Sequence, residues 1–181
     1  MTTYRFDPNA GTPLGTPLGG ALSPQAALAE LDRLGLGHAG LQLDQQGDHL
    51  RLRGQAPDGK AHEQLVLALG NLRGVAAVED DLVTPTPGLL DSLGGFAHLP
   101  AGAMRMQAAH AAMDAHPPEP GTSYGPGGSL FHPVQPGESL AELARRHYGD
   151  ATEAPRLMAA NAPALPPGEP PTGWVLRIPP R

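Results

Sequence analysis

The sequence predicts an α+β fold made of two small domains joined by a long flexible linker. Three observations carry this reading. Over residues 23–84 the apolar periodicity switches between helix and strand in the order αββαβ. Over residues 129–181 it does so again in the order βααβ. Between them, residues 85–128 are broken by prolines and glycines and keep neither period. The chain has 181 residues, enough for one ordinary domain or two small ones. Its 24 glycines and 22 prolines cluster in stretches that cannot be element interiors, so each core must be small.

Residues 1–22 read as a loosely structured arm in which the tetrapeptide TPLG occurs twice, at Thr12–Gly15 and Thr16–Gly19. Ser23 and Pro24 make an N-cap and first helical position. Ala27, Leu28, Leu31 and Leu34 follow at helical spacing, and Gly35 and Gly37 end the helix. Leu41 and Leu43, then Leu50 and Leu52, alternate with polar neighbours around Gln45-Gln46-Gly47-Asp48, which predicts a β-hairpin. Asp58 caps a second helix with Ala61, Leu65, Ala68 and Leu69 on one face, stopped by Gly70 or Asn71. A strand from Val75 to Val83 completes a three-stranded sheet covered on one face by two helices.

The linker over 85–128 contains one candidate helix, Ala101–Ala115, with Met104, Ala108 and Ala111 on a common face. Order resumes with a short strand at Phe131–Gln135. Gly137-Glu138-Ser139 then opens a helix with Leu140, Leu143 and Ala144 inward, ending at Tyr148-Gly149. A second helix is expected from Thr152 to Asn161, with Pro155 tolerated in its first turn. Trp174, Leu176 and Ile178 alternate with Val175 and Arg177 in a last strand that Pro179-Pro180 ends. Trp174 fits the core better than a ligand shelf.

Composition excludes several classes of function. The formal net charge is −6, Lys60 is the sole lysine and the arginines are dispersed, which argues against nucleic acid and anionic membrane as partners. The absence of cysteine removes disulfides, thiolate metal sites and cysteine nucleophiles. No apolar run approaches the roughly 18 residues of a membrane span, and no Sec-type signal opens the sequence, so a cytoplasmic monomer is expected. There is no G-x-S-x-G or P-loop motif. Glu138 and Glu142 share a helical face only at a spacing common on exposed helices, so no enzyme is expected. The histidines, among them His98, His110, His116, His132 and His147, lack metal-ligand spacing and read as solvated. Asp7, Asp80 and Asp81 come without an EF-hand loop.

The C-terminal domain resembles the LysM family. The resemblance rests on Val134-Gln135-Pro136-Gly137-Glu138-Ser139-Leu140, Tyr148-Gly149, Asn161 and Gly173-Trp174-Val175-Leu176-Arg177-Ile178-Pro179, with Thr172 where the family has proline. Residues 23–84 resemble a BON domain through Leu65-Val66-Leu67-Ala68-Leu69-Gly70-Asn71-Leu72-Arg73-Gly74-Val75 and Val78-Glu79-Asp80-Asp81. Together the two halves are similar to the cytoplasmic bacterial potassium-binding family built from BON and LysM domains, whose domains are joined by a much shorter segment.

That likeness implies a potassium ion as ligand, held by main-chain oxygens of Asp7, Ala10 and Thr12 in the arm and Gly70, Leu72 and Val75 after the second helix. The chemistry is apt, because a large, weakly hydrated cation is best held by several neutral carbonyls. A helix ending at Gly70 also leaves its last carbonyls at the negative end of the helix dipole. Read from the residues alone, Gly70–Gly74 is a glycine C-cap with solvated carbonyls, and it is the resemblance that sets a cation site beside that reading. The LysM likeness implies a peptidoglycan or chitin-like oligosaccharide as ligand of a groove formed by Gly137, Glu138, Ser139 and Leu140 with Asn161, Pro163, Ala164 and Leu165. Without a ligand, those residues read as a turn, a cap and a helix end. Potassium binding and sensing is therefore the leading expectation, with cell-wall sugar binding as the alternative and, third, a protein-interaction adaptor whose 84–128 segment recruits a partner.

Overall fold

The first sheet has four strands rather than the expected three: Thr2–Arg5 (β1), Gln42–Gln46 (β2), His49–Gln55 (β3) and Ala77–Val83 (β4), in the order β1-β4-β3-β2. The computed structural model in which this is seen describes residues 2–14, 22–85, 121–166 and 168–181. The candidate helix at Ala101–Ala115 and the second TPLG copy lie outside the described residues. Strands β2 and β3 form the expected hairpin, with Leu43 opposite Leu52 and Gln45 opposite Leu50. Strand β3 then runs parallel to β4, with His49 beside Ala77 and Gln55 beside Val83. A parallel pair needs a crossover, and Gly59–Gly70 (α2) supplies it.

The start of the arm is a correction. Thr2–Arg5 pairs antiparallel with β4, setting Tyr4 opposite Val78 and Arg5 opposite Ala77. The alternation of Tyr4 and Phe6 is the reason, since both are buried in the first core while Thr3 and Arg5 face out. Phe6 lies against Gly70, where a Cβ would fall 2.0 Å from its ring.

Both helices of this lobe begin as their caps dictate. Ser23 Oγ accepts from Ala26 N at 3.2 Å at the head of Pro24–Arg33 (α1), and Asp58 Oδ1 accepts from Ala61 N at 2.7 Å at the head of α2. Helix α2 departs from a one-sided pattern: Glu63, Val66, Leu67 and Gly70 are buried together with Leu65, Ala68 and Leu69. A helix buried nearly all round is a central element, and α2 has the sheet on one side and the second lobe on the other.

The second lobe holds Ser123–Tyr124 (β5), Leu130–Pro133 (β6) and Val175–Ile178 (β7) in the order β5-β6-β7, antiparallel throughout. Strand β5 falls within the stretch expected as linker, before its end at residue 128. Ser123 pairs with Phe131, and the 125–129 turn is closed by Gly125 N to Ser129 O at 2.8 Å. Leu140–Tyr148 (α3) opens on a capping box between Ser139 and Glu142 and closes on Gly149 at φ +77°. The expected second helix divides into a 3-10 turn, Ala151–Glu153, and Ala154–Asn161 (α4), with Pro155 in its first turn. Val134, Leu140, Leu143, Tyr148, Leu157, Trp174, Leu176 and Ile178 form this core, so Trp174 is a core residue.

The lobes are packed together. Val175, expected on the polar face of its strand, is buried with Phe131 in the core of the first lobe, because that face of β7 meets α2. The rings of Tyr4 and Phe131 meet across the junction with centroids 5.1 Å apart. Among the described residues no helix is long and apolar enough to cross a membrane.

Candidate functional site

Helix α2 ends at Gly70, and the chain turns back toward β4 through Asn71–Ala76. Asn71 N donates to Leu67 O at 2.9 Å, Leu72 N to Leu69 O at 3.3 Å, and Val75 N to Leu72 O at 3.2 Å. The arm lies directly on this turn. Phe6 N donates to Ala76 O at 2.9 Å, Thr12 N to Asn71 O at 2.9 Å, Arg73 N to Thr12 O at 3.0 Å, and Gly74 N to Pro8 O at 2.8 Å. Thr12 and Leu72 form a parallel bridge. The arm loop is itself fixed by Asn9 N to Asp7 Oδ1 at 2.9 Å and Ala10 N to Asp7 O at 3.1 Å.

One glycine makes this approach possible. Gly11 has φ +97°, and a Cβ there would lie 2.3 Å from Asn71 O. Both conditions favour glycine, the positive φ and the close backbone contact.

The six main-chain oxygens expected to hold a cation thus come from two segments that the structure laces together. Among the described residues, no backbone N–H reaches the carbonyls of Ala10, Gly70 or Val75. The carbonyls of Asp7, Thr12 and Leu72 each accept one, from Ala10, Arg73 and Val75. A carbonyl oxygen has two lone pairs, so these three also retain capacity. Arg73, whose charge would oppose a cation, is exposed.

The second lobe touches both halves of this arrangement. Asn71 Nδ2 donates to Val175 O at 2.9 Å, and Val175 N donates to Asn71 Oδ1 at 2.8 Å. Two residues earlier, Gly173 presses on the arm, where a Cβ would lie 2.7 Å from Ala10 Cβ and 3.1 Å from Asp7 Oδ2. The segment Gly173–Val175 therefore contacts the arm and the α2 turn at once.

A second junction lies in the middle of α2. Glu63 is fully buried, and its carboxylate accepts from Gly127 N at 2.9 Å, Ser129 N at 3.0 Å, Ser129 Oγ at 2.7 Å and Arg177 Nε. Gly125 leaves room for it, since a Cβ there would lie 2.5 Å from Glu63 Oε1.

The residues of the expected sugar groove are placed differently. Asn161 caps the free edge of β7: Arg177 N donates to its Oδ1 at 2.6 Å, and its Nδ2 donates to Arg177 O at 2.9 Å and to Leu157 O at 2.7 Å. Pro163, Ala164 and Leu165 line a cavity of about 20 Å³ against Leu67 and Asn71 of the first lobe. That is room for about one water. Gln64 Nε2 ties this loop down through Ala162 O at 3.0 Å.

Gly137 and Glu138 border a separate surface depression with Arg145 and Arg146. Ser139 is occupied as a helix cap, and Leu140 is buried with its N–H donating to Glu169 Oε2 at 3.0 Å. Glu138 accepts from His132 Nε2 at 2.7 Å, Gln135 N at 2.9 Å and Arg146 at 2.6 Å. Burial works against its charge, yet the bonds from His132, Gln135 and Arg146 hold its carboxyl down at about 2. The two halves of the groove thus face different surroundings, and one of them serves the contact between lobes.

Sequence reasoning missed Gly11, Glu63 and the side chain of Asn71. Asn71 carried only the signal of a helix end, whereas Glu63 was marked by its charge just ahead of an apolar run. The described residues contain no cluster of three or more histidine, aspartate or glutamate side chains able to hold a metal. No family model matches the chain, and no curated protein matches it either.

Proposed function

We propose that the chain is a non-enzymatic potassium-binding protein that holds the ion between the arm loop, Asp7–Thr12, and the turn after α2, Gly70–Val75. The observation that carries this reading is the close backbone approach at Gly11, which lays one carbonyl-rich turn on another at the C-terminal end of a buried helix. Neutral main-chain oxygens suit potassium, and the helix end adds the negative pole of its dipole. The resemblance to BON–LysM potassium-binding proteins points the same way. Potassium acts as a signal only if it prefers the laced state of the arm over the open one. Gly173 and Asn71 would pass that preference to the second lobe, since each touches one half of the site.

Calorimetric titration of the protein with KCl, against NaCl at matched ionic strength, tests the reading. Saturable heat with potassium and none with sodium is expected. Equal or absent heats would overturn it.

A further inference from the structure

Glu63 stands in the first half of α2, just ahead of the apolar run Leu65–Leu69, on a helix buried nearly all round. Its side chain is 0 % exposed. A carboxylate in such a place is costly unless its oxygens are met by donors. The four hydrogen bonds that meet it among the described residues all come from the second lobe. Oε1 accepts from Gly127 N and Ser129 N, and Oε2 accepts from Ser129 Oγ and Arg177 Nε. A carboxylate accepts at about four sites, two on each oxygen, so this donor set matches its geometry.

The donors are fixed by bonds within their own lobe. Gly125 N donates to Ser129 O at 2.8 Å and Gly128 N to Gly125 O at 3.0 Å, which closes the turn. Ser129 leads into β6, and Arg177 lies on β7 opposite Phe131 of β6. Asn161 fastens the Arg177 backbone along the other edge of the strand. Two glycines of the turn keep the space open. A Cβ at Gly125 would lie 2.5 Å from Glu63 Oε1, and one at Gly127 would lie 3.0 Å from Glu63 Cδ. Every donor therefore belongs to the second lobe, and the first lobe supplies the acceptor.

We infer that the 125–129 turn and Arg177 form a carboxylate-binding pocket of the second lobe, whose ligand in this structure is Glu63 held in cis. The lobes then dock as receptor and ligand do, and a carboxylate on another molecule is the competitor suited to the same pocket. The donor set selects that class. A neutral amide of the same shape has one acceptor oxygen and would turn N–H groups toward N–H donors. A phosphate carries oxygens beyond the two that these donors meet, and each would be buried without a bond. This inference does not depend on potassium binding at the C-terminal end of α2.

The test removes the cis ligand and offers a free one. The full chain carrying Glu63→Ala is titrated with sodium formate, with formamide, and with NaCl at matched ionic strength, KCl being constant. Formate replaces the missing carboxylate, whereas formamide fills the same space without charge. Amide chemical shifts of Gly127 and Ser129 and the melting temperature are followed. Saturable shifts and a higher melting temperature are expected with formate alone. Adding Ser129→Ala should weaken formate about tenfold, the loss of one hydrogen bond to a charged group. Wild type should show no saturable shift, because a tethered carboxylate outcompetes a free one. Should Glu63→Ala not fold in NaCl, formate and not formamide is expected to refold it, read by the fluorescence of Trp174, the sole tryptophan. Formate acting no better than NaCl or formamide, unchanged affinity with Ser129→Ala, or equal saturation in wild type would each overturn the inference.

Discussion

Asn71 and Val175, 104 residues apart in sequence, are joined by two hydrogen bonds in which a side-chain amide pairs with the backbone of a strand edge as another strand would. Asn161 does the same for Arg177 on that edge. Strand β7 pairs with β6 on its other side, so two asparagines, one from each lobe, satisfy an edge that meets no further strand among the described residues. Unpaired strand edges invite pairing with other chains. Here the closure also fixes the lobes against each other.

Replacing Asn71 by alanine should therefore cost more than one ordinary hydrogen bond. It leaves the N–H and C=O of the buried Val175 without partners, each costing about 1–3 kcal/mol. A loss of about 2–4 kcal/mol is expected in urea unfolding. Asn71→Asp keeps the acceptor for Val175 N–H but sets a carboxylate against Val175 O, so it should not rescue. Because the Asn71 side chain anchors the turn whose main-chain O accepts from Thr12 N, both variants should weaken potassium binding in calorimetry.

Gly11→Ala tests the lacing of the arm itself. The added methyl would meet Asn71 O, and the positive φ would strain any L-residue. The control is Gly35→Ala, which shares a positive φ of +67° but has nothing within 4 Å of the added carbon. Both should lose about 1 kcal/mol or more from backbone strain. Only Gly11→Ala should lower potassium affinity, by tenfold or more in calorimetry. Equal affinities in the two variants would separate the Gly11 contact from ion binding.

The elements that sequence made legible are those with local causes. The caps at Ser23, Asp58 and Ser139, the Leu43–Leu52 hairpin and the glycine stop of α3 all depend on neighbours within a few residues. Strand β1 was hidden because four residues before Asp7-Pro8 are too short for a period to show, although Tyr4 and Phe6 hinted at one. Strand β5, two residues among glycines and prolines, left no pattern at all. The juxtaposition of arm and α2 turn came from a family resemblance, and backbone pattern alone gave only a C-cap. Glu63 with Arg177, 114 residues apart, lay beyond reach for another reason: periodicity names a face, not what packs on it.

That pair gives a further expectation. Glu63→Ala removes the partner of Arg177, whose side chain is 12 % exposed, and the acceptor for two backbone N–H groups. Breaking a buried pair from one side costs about 3–5 kcal/mol. Glu63→Gln keeps an acceptor for Gly127 and Ser129 but loses the charge facing Arg177, so it should fall between wild type and alanine in urea unfolding. If alanine and glutamine behave alike, the charge carries the junction and the loop contacts add little.

Glu138 predicts a pH signature confined to one side chain. Its carboxyl lies at about 2 in the folded protein against an ordinary 4.5, despite burial, because His132, Gln135 N–H and Arg146 favour the charged form. A group whose pKa is depressed by folding stabilises the fold above its unfolded value and loses that contribution as pH falls toward the folded one. Glu138→Gln should accordingly be less stable than the parent at pH 7, and the gap should narrow between pH 4.5 and about 2. Urea midpoints of both proteins at several pH values check this, and taking the difference removes acid effects common to the two. A gap of constant size across that range would mean that the bonds around Glu138 do not depend on its charge, and that its role in the 135–146 region is packing.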